Sequence, residues 1–169
     1  EWVIIATERA RRPDQFLGQR ERPKELPKYL AECPFCPGNE RLTPMETLRI
    51  GTAERWEVRV IPNKFSALSP DGKRSRVNQG LKRTAAGVGI HDVIIETPDH
   101  SMTTAQLPQA QVEKIITAYK QRFFTVSEDP RVELITIFKN HGSSGGASIE
   151  HPHSQLIATP IISPQVRNR

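Results

Sequence analysis

The sequence predicts an α+β fold in which one main helix packs on a mainly antiparallel sheet. Several short segments are apolar or alternate apolar with polar residues, which is typical of β-strands. A single longer segment repeats its apolar residues at helical spacing. The connections between the strand segments are hairpin-like, and this favours antiparallel pairing.

Five segments are predicted to be strands. Residues 2–7 are a short apolar run that indicates a buried strand. Residues 56–61 alternate large apolar and charged side chains, as a half-buried strand does. The other three predicted strands comprise residues 91–96, 131–138 and 155–159.

The predicted helix follows Pro108. Its apolar side chains recur at positions i, i+3, i+4, i+7 and i+11, which places them on one stripe of a helix. We expect this stripe to form part of the core. Its members are Val112, Ile115, Ile116, Tyr119 and Phe123.

Two stretches are expected to lack regular structure. Residues 8–49 contain prolines at positions 13, 23, 27, 34, 37 and 44, and each proline interrupts a helix or strand. A metal bound to the two cysteines in this stretch would hold it in place. Residues 69–86 are polar and contain glycine, so they are predicted to form an exposed loop.

Composition limits the classes of function. The 169 residues match the size of one domain, and 36% hydrophobic residues suffice for a core. No apolar run approaches the roughly 20 residues of a membrane span. The chain does not start like a signal peptide, so a cytoplasmic protein is expected. The net charge of +5 is mild and aromatic residues make up 6%, so an anionic small molecule is favoured over nucleic acid.

The most informative segment runs from Gly145 to Gln155. Adjacent glycines allow backbone N–H groups to approach an anion closely, as in phosphate-binding loops. His151, His153 and Gln155 are spaced by two, which on a strand directs all three to one face. Neutral histidine is a good nucleophile near pH 7, so a histidine beside such a loop favours attack on phosphorus.

Each of these motifs also has a simpler structural explanation. A His-x-His pair can be a solvated pair on an edge strand, and Gly-Gly can be an ordinary turn. Cys33 and Cys36 form a C-x-x-C pair, which without an export signal indicates redox chemistry or half of a metal site. The glycine loop and the His-x-His-x-Gln pattern together favour chemistry.

The chain resembles the N-terminal half of the galactose-1-phosphate uridylyltransferase family, a branch of the histidine-triad superfamily. The segment from Asn140 to Gln155 resembles the active-site motif of that family. Further similar segments follow in family order: an arginine motif at residues 9–13, a zinc motif at 33–40, a nucleoside-contacting turn at 60–65 and a metal-ligand segment at 98–101. The resemblance implies a histidine-triad-like sheet, with residues 1–169 as a single N-terminal domain that lacks the family's second half.

The resemblance also implies catalytic roles. His153 corresponds to the nucleophile that attacks the α-phosphorus of a nucleoside diphosphate sugar and forms a nucleotidyl-histidine. Gln155 replaces the third histidine of the hydrolase branch, and a neutral amide hydrogen-bonds phosphoryl oxygens without donating a proton to the leaving group. The implied substrate-binding residues are Arg9, Arg12, Asn63, Asn140, Gly146, Ser148 and Gln155.

A structural zinc ion is implied by the same resemblance. Its ligands would be Cys33, Cys36, His100 and His151, a Cys₂His₂ set that suits tetrahedral zinc and leaves no open position. The backbone carbonyl of His151 would accept a hydrogen bond from His153 and set its tautomer. A cysteine pair without metal is the alternative.

The implied reaction converts UDP-glucose and galactose 1-phosphate to glucose 1-phosphate and UDP-galactose by a ping-pong mechanism. An adenylyl-transferring relative of the ADP-glucose phosphorylase type has nearly the same motifs. The alternative from another class is a non-catalytic nucleotide-binding zinc module. The implied partners are a nucleotide sugar and a sugar 1-phosphate, with a homodimer as the assembly and no nucleic acid or membrane partner.

Overall fold

The computed structural model describes residues 3–6, 25–142 and 145–167. In this part of the chain, short 3₁₀ turns precede β1 and α1, at Glu40–Leu42 and Thr104–Gln106. The strands are β1 (Leu48–Gly51), β2 (Trp56–Pro62), β3 (Arg76–Gln79), β4 (Lys82–Ala85), β5 (Ile90–Ile95), β6 (Leu134–Phe138) and β7 (His153–Thr159). The helices are α1 (Gln109–Ser127) and the short α2 (Pro164–Arg167).

Five strands form one sheet in the order β1-β2-β5-β7-β6, and every neighbouring pair is antiparallel. The chain crosses from β5 to β6 through α1, and β7 then inserts between β5 and β6. This arrangement confirms the predicted fold class. It also places β7, the strand that carries the His-x-Gln pair, in the interior of the sheet with both edges paired.

One face of the sheet packs against α1. Successive side chains of a strand point to opposite faces, so the even-numbered residues of β5 and β7 face the helix. The resulting apolar core consists of Val58, Val60, Ile94, Ile115, Ala118, Val126, Leu156 and Ala158.

The inner stripe of α1 differs from the prediction. Ile115, Ala118 and Val126 are the fully buried members, whereas Ile116 is 55% exposed and Phe123 is 42% exposed. The helix is rotated because a polar residue, Arg122, also faces the sheet. Its Nε donates to Oδ2 of the buried Asp92 at 2.6 Å, so this inward-facing charge is paired.

The opposite face of the sheet is covered by a loop that contains both cysteines, residues 30–39. Here the odd-numbered residues of β5 and β7 are buried under irregular chain rather than under a helix. A β-bulge between Ile50 and Gly51 of β1 shifts the register of β2, and Trp56 joins this second cluster. The members of the cluster are Cys33, Phe35, Cys36, Trp56, Ile61, Val93 and Ile95.

Several predicted segments differ from the structure, and the predicted strand at residues 131–138 begins only at Leu134. Residues 3–6 of the predicted first strand are irregular and Ile5 is 87% exposed, because none of their backbone groups joins a sheet; the rest of that segment lies outside the described residues. Residues 69–86 contain the exposed hairpin β3-β4, which has Gly80 at its tip with φ +59°. Its strands are polar on both faces and therefore lack the alternation that predicts a strand. Strand β7 begins at His153, two residues earlier than predicted.

Candidate active site and metal centre

A cavity of about 330 Å³ opens on the cysteine-loop face of the sheet. Its floor is formed by His153 and Gln155 of β7 together with Val93 of β5. The turn after β2 forms one wall, the glycine loop before β7 forms another, and the cysteine loop forms the third. Lining residues from these walls include Asn63, Phe65, Gly146, Ser148, Pro34 and Phe35.

His153 is 8% exposed, and a backbone contact helps to orient its ring. Its Nδ1 lies 2.8 Å from the carbonyl oxygen of His151. A carbonyl oxygen only accepts, so Nδ1 carries the proton and donates it. In the neutral ring the lone pair is therefore on Nε2, which is the tautomer required of a nucleophile that attacks through Nε2.

Gln155 lies two residues along β7 and on the same face as His153. Its Oε1 accepts a hydrogen bond from Nε2 of His91 at 2.9 Å. His91 lies near the start of β5. Since Val93 pairs with Gln155 in the strand register, His91 reaches Gln155 diagonally across two strands.

The glycine loop adopts a backbone conformation that L-residues rarely adopt. Gly142 has φ +69° and Gly146 has φ +74°. At Gly145, a Cβ would lie 2.5 Å from the carbonyl oxygen of His141, so only glycine fits. The amide of Ala147 donates to the carbonyl oxygen of Gly142 at 3.0 Å and closes the loop over the cavity.

Four of the seven predicted substrate-binding residues come together around this cavity. Asn63, Gly146, Ser148 and Gln155 line it together with His153. Asn140 instead lines a smaller cavity of about 40 Å³ behind the glycine loop, which His153 also borders. The two predicted arginines, 9 and 12, lie outside the described residues.

Cys33, Cys36, His100 and His151 form a buried cluster on the other side of His153. The ligand atoms of these four side chains all lie within 4.8 Å of one another. His151 is not part of the strand, contrary to the prediction that it shares a face with His153. Because β7 starts at His153, the chain turns at Pro152 and the His151 ring points to the cysteines.

The donor atoms of the cluster fit a tetrahedral metal ion. Zinc bonds of about 2.3 Å to sulfur and about 2.0 Å to nitrogen, at tetrahedral angles, separate the S and N donors by roughly 3.5 Å. The Sγ of Cys36 lies 3.5 Å from Nδ1 of His100 and 3.6 Å from Nδ1 of His151, and the Sγ of Cys33 lies 3.8 Å from the latter. Nε2 of His151 donates to the carbonyl oxygen of Thr97 at 2.8 Å, which leaves Nδ1 with the lone pair that a metal needs.

Burial without a cation disfavours the charged forms of these ligands. Desolvation raises the pKa of Cys33 to about 12, and desolvation lowers the pKa of His151 to about 3. Burial likewise lowers the pKa of His100. Neutral imidazoles are already suited to metal binding, and a dication would supply the charge that stabilises the two thiolates.

The comparisons with known proteins agree with this geometry. A family model described as the N-terminal domain of galactose-1-phosphate uridyl transferase matches residues 1–163. The chain belongs to this family.

Two kinds of relative stand out within the family. ADP-glucose phosphorylase of Arabidopsis thaliana is 36% identical over 99% of this chain and 48% of its own length. Galactose-1-phosphate uridylyltransferase of Haemophilus influenzae is 28% identical over 98% of this chain and 46% of its own length. The chain thus spans about half the length of the curated relatives it matches.

Solved structures of relatives share the fold. An Arabidopsis ADP-glucose phosphorylase with bound ADP-glucose superposes with a TM-score of 0.71 at 33% identity, covering 86% of this chain and 44% of that protein. A uridylyltransferase mutant superposes with a TM-score of 0.65 at 27% identity, covering 84% and 43%.

Sequence reasoning did not identify several residues that support the site in this family member. The ring of Phe35 makes T-shaped contacts with both imidazoles, with centroids 6.1 Å from His151 and 5.3 Å from His153. Asn39 holds the cysteine loop, because its Nδ2 donates to the carbonyl oxygens of Ala31 at 2.9 Å and Cys33 at 2.8 Å. The position of Phe35 inside C-x-x-C was the available signal.

A buried polar network on the helix side of the sheet was also missed. The carboxylate of Glu96 accepts hydrogen bonds from Tyr119 and Thr104, both at 3.1 Å, and from Ser154 and Lys139. Burial raises the pKa of Tyr119, so its hydroxyl stays protonated as a donor. The network connects Ser154, which follows His153 in β7, to Lys139, which precedes the glycine loop. No local sequence pattern predicts this network, because its members lie far apart in the chain.

No helix in the described ranges is both long and apolar enough to cross a membrane.

Proposed function

We propose that this chain carries the nucleotide-transferring site of a nucleotidyltransferase that acts on a nucleoside diphosphate sugar. The observation that carries the proposal is the pairing of Nδ1 of His153 with the carbonyl oxygen of His151. This contact leaves the lone pair on Nε2, at a cavity that a glycine loop and an amide side chain also line.

The first half-reaction is a displacement at phosphorus. Nε2 of His153 attacks the α-phosphorus and forms a P–N bond, while the bond to the bridging oxygen breaks and sugar 1-phosphate leaves with the electron pair. In the second half-reaction, a phosphate oxygen of the acceptor attacks the same phosphorus and the P–N bond breaks. Neither step requires a proton donor at the leaving phosphate, which suits the neutral amide of Gln155.

The remaining residues bind and orient the substrate. The loop around Gly146 and the hydroxyl of Ser148 are suited to the phosphoryl oxygens, and Asn63 to the nucleoside. Asn140 supports the loop from behind, since it lies next to Gly146. Arg9 and Arg12 are proposed to bind phosphate, because a guanidinium offers paired donors to an oxyanion.

A structural zinc ion is part of the proposal. Cys33, Cys36, His100 and His151 would hold it, and with four protein ligands it would supply stability rather than chemistry. The residue that separates His151 from His153 is Pro152, so an ion at this cluster would restrain the backbone carbonyl that orients the nucleophile.

The transferred nucleotide is either uridylyl or adenylyl. The sequence motifs favoured UDP-glucose and galactose 1-phosphate as substrates. The higher identity to ADP-glucose phosphorylase, 36% against 28% for a uridylyltransferase, supports the adenylyl alternative. Both alternatives use the same nucleophile and the same intermediate.

Intact mass spectrometry tests the proposal directly. The protein is mixed with UDP-glucose or ADP-glucose without acceptor, under mildly basic conditions that preserve a phosphoramidate. A gain of one UMP or one AMP that maps to His153 supports the proposal and identifies the nucleotide. His153→Ala is the matched control and should give no adduct with an unchanged melting temperature. Absence of any adduct on the wild-type chain would favour a non-catalytic binding module.

A further inference from the structure

His91 is buried beneath the proposed nucleotide site. It is 4% exposed, and both ring nitrogens contact neighbouring residues. Nδ1 accepts a hydrogen bond from the backbone amide of Ala67 at 3.0 Å, and Nε2 lies 2.9 Å from Oε1 of Gln155. The backbone carbonyl of His91 also accepts from the amide of Asn63 at 2.8 Å. His91 therefore links the turn after β2 to β7.

These contacts determine the tautomer of the ring. A backbone amide can only donate, so Nδ1 of His91 must present its lone pair to Ala67. In a neutral imidazole the proton is then on Nε2, which donates to Gln155. A protonated ring would place one N–H group against another at Ala67.

The tautomer in turn determines the orientation of the Gln155 amide. A carbonyl oxygen accepts from an N–H donor, so Oε1 of Gln155 is directed at His91. The NH₂ group is held on the other branch of the amide, and it makes no hydrogen bond to any residue in the described part of the chain. Gln155 borders the cavity with His153, so this group is available to a phosphoryl oxygen there.

Within the described part of the chain, Asn63 provides a competing contact. Its Nδ2 lies 3.0 Å from Nε2 of His91, and its Oδ1 accepts from the amide of Phe65 at 2.9 Å. With Nε2 protonated, the first contact joins two donors. A side-chain amide rotates to relieve such a contact, whereas the backbone amide of Ala67 does not, so the Ala67 contact decides the tautomer.

We propose that His91 is a positioning residue that fixes Gln155 as a hydrogen-bond donor toward the phosphoryl group. The inference rests on the proposed nucleotidyl transfer. Without the Nε2–H of His91, the Gln155 amide is free to turn and present its oxygen to the anionic substrate. That orientation repels the phosphoryl oxygens instead of binding them.

A matched pair of variants separates positioning from packing. Methionine and glutamine have similar volume and length, but only glutamine carries an N–H donor near the place of Nε2. His91→Met should slow formation of the nucleotidyl adduct about tenfold, which corresponds to the loss of one oriented hydrogen bond. His91→Gln should recover most of that loss. Equal rates for the two variants would overturn the proposal.

A second background tests whether the effect passes through Gln155. In Gln155→Ala, introducing His91→Met should change the adduct rate by less than about twofold, because the amide to be oriented is gone. A full tenfold effect in this background would show that His91 acts elsewhere. If the wild type itself forms no adduct, the proposed function fails and the tautomer must be tested separately.

Nitrogen NMR of histidine-labelled wild-type protein provides that separate test. We expect the spectrum of His91, assigned from its absence in His91→Gln, to show a protonated Nε2 and an unprotonated Nδ1. Gln155→Ala should shift the Nε2 signal and leave the Nδ1 signal nearly unchanged. A protonated Nδ1, or a charged ring at neutral pH, would overturn the inference whatever the activity.

Discussion

The two faces of the central sheet are built from the same strands and differ in almost every other respect. On the helix side, Ile94, Leu156 and Ala158 pack against α1 in an ordinary apolar core. On the other side, the side chains of His91, His153 and Gln155 lie under the loop that carries both cysteines, and His100 and His151 complete the cluster with these cysteines. The helix face stabilises the sheet, and this lets the other face carry buried polar groups that cost stability on their own.

The loop face of the sheet is stabilised by different contacts from those of the helix face. Residues 30–39 contain no regular element longer than a turn, and they cover the sheet through Phe35 and through the four-residue cluster. The helix buries apolar surface along its whole length, whereas the loop is held by a few contacts around the cysteine cluster. Substitutions on the two faces should therefore differ in their effects on stability and on adduct formation.

The largest effect is expected at the cysteine cluster. Cys36→Ser should abolish zinc binding and lower the free energy of unfolding by about 3 kcal/mol or more, because a structural zinc site contributes its binding energy to folding. This corresponds to a fall in the melting temperature of about 6–12 °C. Metal analysis together with thermal unfolding, with and without a chelator, measures both.

Cys33→Ser should likewise abolish zinc binding and lower the free energy of unfolding. A protein that is purified without metal, and whose melting temperature neither chelator nor zinc changes, would contradict the zinc assignment.

Two adjacent residues of β7 should give opposite results. Leu156→Ala should cost about 2–5 kcal/mol of unfolding free energy, because Leu156 is fully buried under α1. The adduct rate of its remaining folded protein should stay near that of the wild type. Gln155→Ala should lower the adduct rate and change the unfolding free energy little. Chemical unfolding and adduct formation measure the two quantities, and a large stability loss in Gln155→Ala would contradict the division between the faces.

A smaller effect is expected in the glycine loop. Gly146→Ala places a Cβ on a residue with φ +74°, which costs about 1–2 kcal/mol in the left-handed region. The strain lies in the loop, so relaxing it should displace the amides that we propose to bind the phosphates and lower the adduct rate.

Gly80→Ala is the control for Gly146→Ala, because it has φ +59° at the tip of the remote hairpin. It should show a similar strain cost with an unchanged adduct rate. Equal adduct rates for the two variants would contradict the proposed role of the glycine loop in the site.

The smallest effect is expected on the outer side of α1. Phe123→Ala should change the unfolding free energy by less than about 1 kcal/mol, because the side chain is 42% exposed. Val126→Ala, at a position that is 1% exposed, should cost more than Phe123→Ala even though it removes fewer atoms. A reversed order would mean that the predicted stripe, and not the observed one, faces the sheet.

The helix shows why part of the fold could not be predicted. Its apolar residues alone define a stripe through Ile116 and Phe123, and sequence patterning has no way to recognise that Arg122 faces inward. Asp92, the partner that makes this possible, lies 30 residues earlier on β5. A paired charge on the inner face thus rotated the helix away from the side that hydrophobicity predicted.

The site was predictable where its residues are close in sequence or carry a distinctive type. The glycine loop and His-x-His-x-Gln are one continuous segment, and cysteine and histidine in a chain of this kind are few enough to suggest a set. The contact of His91 with Gln155 depends on the register between β5 and β7. The sequence of one strand does not by itself predict which strand pairs with it. The hairpin β3-β4 was missed because both of its faces are polar.

The alternation along β7 also determines where the chain tolerates a change of length. Inserting or deleting one residue within β7 would exchange the two faces on one side of the change, so that either Leu156 would turn toward the cavity or the side chains that precede it would turn toward α1. A duplication of two residues would keep the faces but shift the residues on one side of it along the sheet. The exposed hairpin, in contrast, projects from the sheet without contributing to either cluster, so segments of varied length should be accommodated at Gly80 and Leu81.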